Sequence, residues 1–147
     1  MTSYIASDLR RLVALRAHHW CEYCLIAEED TFLGCQVDHV IAEKHGGETT
    51  EENLSFACTF CNRSKGSDIG SIAPSSGEFT RFYNPRVDSW HDHFELKDAI
   101  ISPRTPVGET TVRILKFNTP ERIMERDALI ATHRYPPASP VDDVTDR

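Results

Sequence analysis

The stretch ENLSFACTFCNRSKG, Glu52 to Gly66, decides how this chain is built. It carries a C-x-x-C pair, Cys58 and Cys61, followed at once by Asn62, Arg63 and Lys65. A second pair, CEYC at Cys21 and Cys24, lies about thirty residues earlier. Tetrahedral zinc takes four soft, charged ligands, and a two-residue gap lets both thiolates of a pair meet one ion while backbone amides face their sulfurs. The competing uses of such cysteines are a redox dithiol or a pair of disulfides. A cytoplasmic setting disfavours structural disulfides, and neither pair sits in a thioredoxin-like βαβ pattern. Two complete pairs with no fifth partner fit a closed structural site made of Cys21, Cys24, Cys58 and Cys61. Cys35, the odd one, falls in an alternating run and reads as a small buried hydrophobe.

A shared zinc would make residues 32–56 a finger closed at its base. Inside it lies VDHVIAEKHGG, Val37 to Gly47. The run 32–40 alternates loosely as a strand, with Cys35, Val37 and His39 on one side and Gln36 and Asp38 on the other. Gly46 and Gly47 open a loop. Phosphodiester hydrolysis needs an activated water, a cation against the charge of the transition state and help for the leaving oxygen. Histidine suits the first task near neutral pH, and a magnesium-like ion suits an aspartate with an asparagine carbonyl. Asp38, His39, Asn53 and Asn62 are that assortment. Adjacent strand residues point to opposite faces, so Asp38 and His39 share a site only if the strand ends or twists there.

The rest of the chain sets bounds. Its 147 residues suit one domain with a modest core, with 39% hydrophobic and 27% charged residues as in ordinary globular proteins. No apolar run reaches the length of a membrane helix and the N-terminus lacks a signal peptide's apolar stretch, so the expected compartment is cytoplasmic. A net charge of -7 argues against a broad electrostatic grip on nucleic acid, so any such contact must be local. An opening helix is expected within 5–21, capped by Ser7 or Asp8, with Ile5, Leu9, Leu12, Val13 and Leu15 on its apolar face. A short helix is expected within 59–69. SIAPSSGE reads as a connector, the aromatic-rich 78–96 as strand and turn, and TTVRILKFN as a strand. TPERIMERDALIATHR reads as a helix with a capping residue, a first-turn proline and apolar residues at helical spacing.

In their order, CEYC, VDHVIAEKHGG and ENLSFACTFCNRSKG resemble the HNH endonucleases, the ββα-metal nucleases, in their four-cysteine zinc form. FYNPRVDSWHDHF and TPVGETTVRILKFNTPER look like a tail found on bacterial members. The resemblance therefore runs to about residue 135 and implies an α+β fold. That fold has a ββα-metal core over about 17–70, a zinc knuckle pair, an N-terminal helix and a C-terminal strand and helix extension over about 78–135. Residues 1–135 are expected to form a single domain, with a disordered acidic tail over 136–147.

Residue by residue, the resemblance implies that His39 is the general base, with Asn53 completing the catalytic group by tying the loop and holding the base in place. Asp38 and Asn62 would hold one catalytic Mg2+ or Mn2+, beside the structural Zn2+. Arg63 and Lys65 read as phosphate contacts by charge and placement, or else as an exposed helix face. His45 reads as a substrate contact, a help to the metal or a residue that fixes its turn. His91 and His93 fit packing on one side of a strand better than a second metal site. The implied activity is hydrolysis of phosphodiester bonds in DNA, leaving 5′-phosphate and 3′-hydroxyl ends. RNA, a monomeric or homodimeric state and a targeting partner protein stay open. A zinc-knuckle module that binds nucleic acid or protein without cutting is the rival of a different class, and a cysteine redox switch is a third reading.

Overall fold

The structure, a computed structural model, describes residues 4–138. The expectation of a disordered tail over 136–147 lies, from residue 139 on, outside the described residues. The opening helix, α1 (Ser7–Arg16), follows Ala6 as N-cap, and neither Ser7 nor Asp8 supplies the expected cap. Asp8 instead sits in the first turn, where its charge suits the positive end of the helix dipole. Ile5, Val13 and Ala17 are buried with Leu54 and Phe56. Leu12 and Leu15, expected on the apolar face, are exposed, because that helix meets its partner sheet along a narrower stripe.

Two strands, β1 (Cys35–His39) and β2 (Leu54–Cys58), form an antiparallel hairpin. Its register sets Asp38 opposite Ser55 and His39 opposite Leu54. All five residues of β2 are buried. Leu54 and Phe56 face α1, while Ala57 and Cys58 join the main core with the other zinc-type cysteines, Tyr83, Trp90, Phe94 and Phe117. The helix α2 (Thr59–Lys65) starts directly after β2, with Cys58 as its N-cap and Gly66 ending it at φ 53°. This is a ββα unit, as the α+β expectation required.

The extension departs from the sequence reading in three places. Ser71 and Ile72 of the expected connector pair as strand, so that its remaining residues form the turn of a hairpin, β3 (Gly70–Ile72) with β4 (Phe79–Arg81). Its small residues serve close packing: a Cβ on Gly70 would lie 2.4 Å from the Thr80 carbonyl oxygen. His91 and His93 lie on a helical turn, α3 (Trp90–His93), not on a strand. Another hairpin follows, β5 (Phe94–Lys97) with β6 (Ile100–Pro103).

The third departure is TTVRILKFN, expected as a strand, most of which lies in α4 (Pro106–Ile114). Local signals override the β-branched run there: the Thr105 hydroxyl accepts from the Gly108 amide, and Pro106 opens the first turn. The last helix, α5 (Pro120–Ala131), starts where expected. Its only fully buried residues are Arg122 and Arg126, with Leu129 partly buried against the main core and Met124 largely exposed, so its inner face is more cationic than the apolar spacing implied.

Candidate metal centre and adjoining cleft

The four cysteines of the two C-x-x-C pairs are buried, and their sulfurs all lie within 4.8 Å of one another. Among the described residues this is the only group of three or more such side chains able to hold a metal. Zinc bonded to four thiolates at about 2.3 Å would set its sulfurs about 3.8 Å apart; those of Cys24 and Cys58 are 3.7 Å apart. The Cys24 and Cys61 amides donate to the sulfurs of Cys21 and Cys58, the pattern that stabilises thiolate in such knuckles. Hydrogen bonds from the neighbouring sulfurs hold Cys24 well below the ordinary thiol range, whereas burial pushes Cys21 and Cys61 well above it. The cluster thus accommodates negative charge poorly unless a cation sits among the sulfurs, so the residues fit zinc. Cys35 is only partly buried and stands outside the group.

A second feature opens beside the ββα unit. A cleft of about 440 Å³ is lined by Asp38, His39, Glu43, Asn62 and Arg63, among others. The strand stops at His39, so that neighbours which would face opposite ways in a longer strand both reach this cleft. His39 is 4% exposed, and its Nε2 lies 2.9 Å from Thr49 Oγ1 and 3.7 Å from Glu43 Oε1. The Asn62 amide donates to Gln36 Oε1, which leaves its carbonyl oxygen as the remaining donor atom. Arg63 is exposed at the cleft wall.

Lys65 occupies neither setting read from the sequence. It is 2% exposed, and its ammonium donates to Asp38 Oδ2 at 3.0 Å and to the His39 carbonyl at 2.8 Å. A cation so enclosed is unavailable to a phosphate in this conformation. Three donors and a four-carbon stem let it reach back from α2 and pin the end of β1.

Asn53 stands outside the cleft and closes the loop beside it. Its Oδ1 accepts from the Ile41 amide, and its Nδ2 donates to the carbonyls of Ile41 and Glu48, each at 2.9 Å. His45 is exposed on the single turn Glu43–His45 and does not line the cleft. His93 sits 2.6 Å from Thr105 Oγ1 and 3.7 Å from Asp88 Oδ1, a packing role beside Tyr83.

Three residues escaped the sequence reading. Gln36 was legible in principle, since it shares a strand face with Asp38. Thr49 reaches His39 only through the folded loop. Arg122, whose guanidinium touches the cysteine sulfurs, comes from a helix distant in sequence.

No curated protein and no solved structure matches the chain. The family model described as HNH endonuclease matches residues 21–68. That span begins at the first zinc-type cysteine and ends just past α2, so it takes in both knuckles, the hairpin, the closing loop and the cleft-lining residues of α2. Residues 21–68 therefore carry the match to the HNH endonuclease family, with a cysteine cluster able to hold zinc inside it.

Proposed function

We propose that the protein is a metal-dependent endonuclease that hydrolyses phosphodiester bonds in DNA, with the cleft of Asp38, His39 and Asn62 as its active site. The supporting observation is that these three side chains, from β1 and α2, line one cleft inside the matched segment. Asp38 Oδ1 and the Asn62 carbonyl are hard oxygen donors, of the kind magnesium or manganese takes alongside water and substrate phosphate. Bound there, such an ion would supply charge compensation for the phosphoryl group and the departing 3′ oxygen.

The chain's own residues do the rest. The hydrogen bond between Nε2 and Thr49 Oγ1 orients the His39 ring, and in the tautomer whose Nε2–H donates to that hydroxyl, Nδ1 is the nitrogen that takes a proton. His39 takes a proton from water as that oxygen bonds to phosphorus; the bond to the 3′ oxygen breaks and that oxygen takes a proton from solvent water, giving 5′-phosphate and 3′-hydroxyl ends. Asn53 fixes the loop that carries Thr49, and so acts on the base by positioning it. Arg63 neutralises a phosphate at the cleft wall. Lys65 holds Asp38 in place. His45, away from the cleft wall, serves its turn or a more distant phosphate.

Residues 1–135 act as one domain in this reading, with the extension packed on the zinc knuckles of the nuclease segment through Arg122, Trp90 and Tyr135. RNA is the alternative substrate, and the net charge of -7 favours a partner protein that supplies targeting.

The test uses zinc-loaded protein with supercoiled plasmid and magnesium or manganese, beside His39→Ala and a reaction without the added ion. Ion-dependent conversion to nicked or linear DNA, lost in the variant, is the expected result. Undiminished cleavage by folded His39→Ala overturns the assignment. No turnover on DNA or RNA by folded wild type moves the protein to the non-cutting binding module.

A further inference from the structure

Arg122 lies in α5, sixty-one residues beyond the last zinc-type cysteine and outside the matched segment. It is 7% exposed, and both terminal nitrogens of its guanidinium have partners. Nη2 lies 3.1 Å from Cys61 Sγ and 3.8 Å from Cys58 Sγ. Nη1 donates to the carbonyls of Leu115 at 2.8 Å and Lys116 at 3.1 Å, at the end of α4. The plane also packs over the Phe117 and Phe60 rings, at 5.7 and 5.9 Å to their centroids.

A buried guanidinium is costly unless an anion meets it, and no carboxylate does so here at hydrogen-bonding distance. Zinc with four thiolates carries a formal charge of -2 in the same core. One turn on, Arg126 is equally buried on the same face and donates to the Ala99 carbonyl and to Asn118 Oδ1. Arg126 meets no sulfur, so Arg122 is the cation that lies directly against a centre that zinc and four thiolates would make doubly negative.

Two neutral contacts complete the grip. The Tyr135 hydroxyl donates to the Cys24 carbonyl at 2.7 Å, and the Trp90 indole donates to the Tyr23 carbonyl at 2.8 Å. Both knuckles are therefore held by side chains of the extension.

We propose that Arg122 is part of the metal centre: it neutralises and orients the Cys58 and Cys61 thiolates, so that zinc retention depends on α5 and the seating of α5 depends on zinc. The inference rests on the reading of the four cysteines as a zinc site, and does not need the cleft to be catalytic. Arg122 is a positioning residue in this scheme, acting through the two sulfurs.

The experiment measures zinc content and the rate of zinc transfer to a colorimetric chelator for wild type, Arg122→Gln, Arg122→Lys and Arg134→Gln. Arg134 serves as a control because its guanidinium is half-exposed, pairs among the described residues only with Glu29 and Asp30 and reaches no cysteine sulfur. Arg122→Gln is expected to release zinc about tenfold faster or more, the size of effect that partners of metal ligands usually have. Arg122→Lys, which keeps charge but loses the fork, falls between, and Arg134→Gln matches wild type. Folded Arg122→Gln that releases zinc at the wild-type rate overturns the proposal while leaving the zinc site standing; wild type isolated without stoichiometric zinc, and unable to take it up, overturns both. Should Arg122→Gln not fold, amide exchange on chelator-treated wild type decides: loss of protection over 120–131 supports the coupling, and α5 protection unchanged without zinc overturns it.

Discussion

Gly47 has no room for a side chain. A Cβ there would lie 1.7 Å from the Ile41 carbonyl oxygen and 2.8 Å from Asn53 Nδ2, the two groups that close the loop beside His39. Gly47→Ala should therefore lower stability by about 3 kcal/mol, read from the denaturation midpoint, even though alanine is small. Lys65 shows the converse, a long side chain enclosed for its charge. Lys65→Met keeps the stem but strips Asp38 of its partner, and should cost about 2 kcal/mol in the same measurement. At His39 the Thr49 hydroxyl is the orienting group under the nuclease reading. Thr49→Val should reduce kcat by about tenfold with KM little changed, and Thr49→Ser should recover most of it. Equal kcat in all three proteins would remove Thr49 from the scheme. Asp38, His39 and Asn62, which the fold brings to one cleft, were legible as a set because phosphodiester chemistry would select their types. The enclosure of Lys65 was not, since nothing local says whether a lysine near a helix end turns outward or reaches back.

Among the elements, α4 turned a β-branched run into a helix through its first residues. Thr105 Oγ1 meets both the Gly108 amide and His93 Nδ1, so Thr105→Ala should cost about 1–2 kcal/mol. The turn before α3 is organised by Asp88. Paired hydrogen bonds from Arg81, at 2.7 and 3.0 Å, hold its carboxyl below the ordinary aspartate range, joined by one from the Asn84 amide. A carboxylate with a depressed folded pKa stabilises the fold above its unfolded pKa, and that contribution disappears as pH falls through the folded value. Asp88→Asn should thus be less stable than wild type at neutral pH, with the gap closing below about pH 4. A gap that stays constant into acid would show that shape, not charge, sets this turn. The β3–β4 hairpin and the buried face of α5 were misread for one reason. Glycine, serine and arginine carry weak local preferences, and their roles came from the atoms packed against them.

For the whole molecule, the main core and the cysteine cluster are the same object, since all four cysteines lie among its buried residues. Removing zinc should therefore reach well beyond the finger. Chelation is expected to lower Tm by more than ten degrees or so and to broaden the transition, because the metal's ligands sit inside a core that draws residues from both halves of the chain. A Tm unmoved by chelation would mean that packing alone seats the cysteines. The described residues contain no helix long and apolar enough to cross a membrane. What the sequence determined by itself was the spacing chemistry: two C-x-x-C pairs, an Asp-His at a strand end, paired glycines in a loop and an asparagine after the last cysteine. Those signals are local, set by how far two residues or one turn can reach. Only the tertiary structure decided which cations stand where. Lys65 closes on Asp38 across 27 residues, and Arg122 reaches Cys61 across 61. A charge is placed by whichever opposite charge the fold brings within a few ångströms of it, and that distance is not written in the spacing of either residue's neighbours.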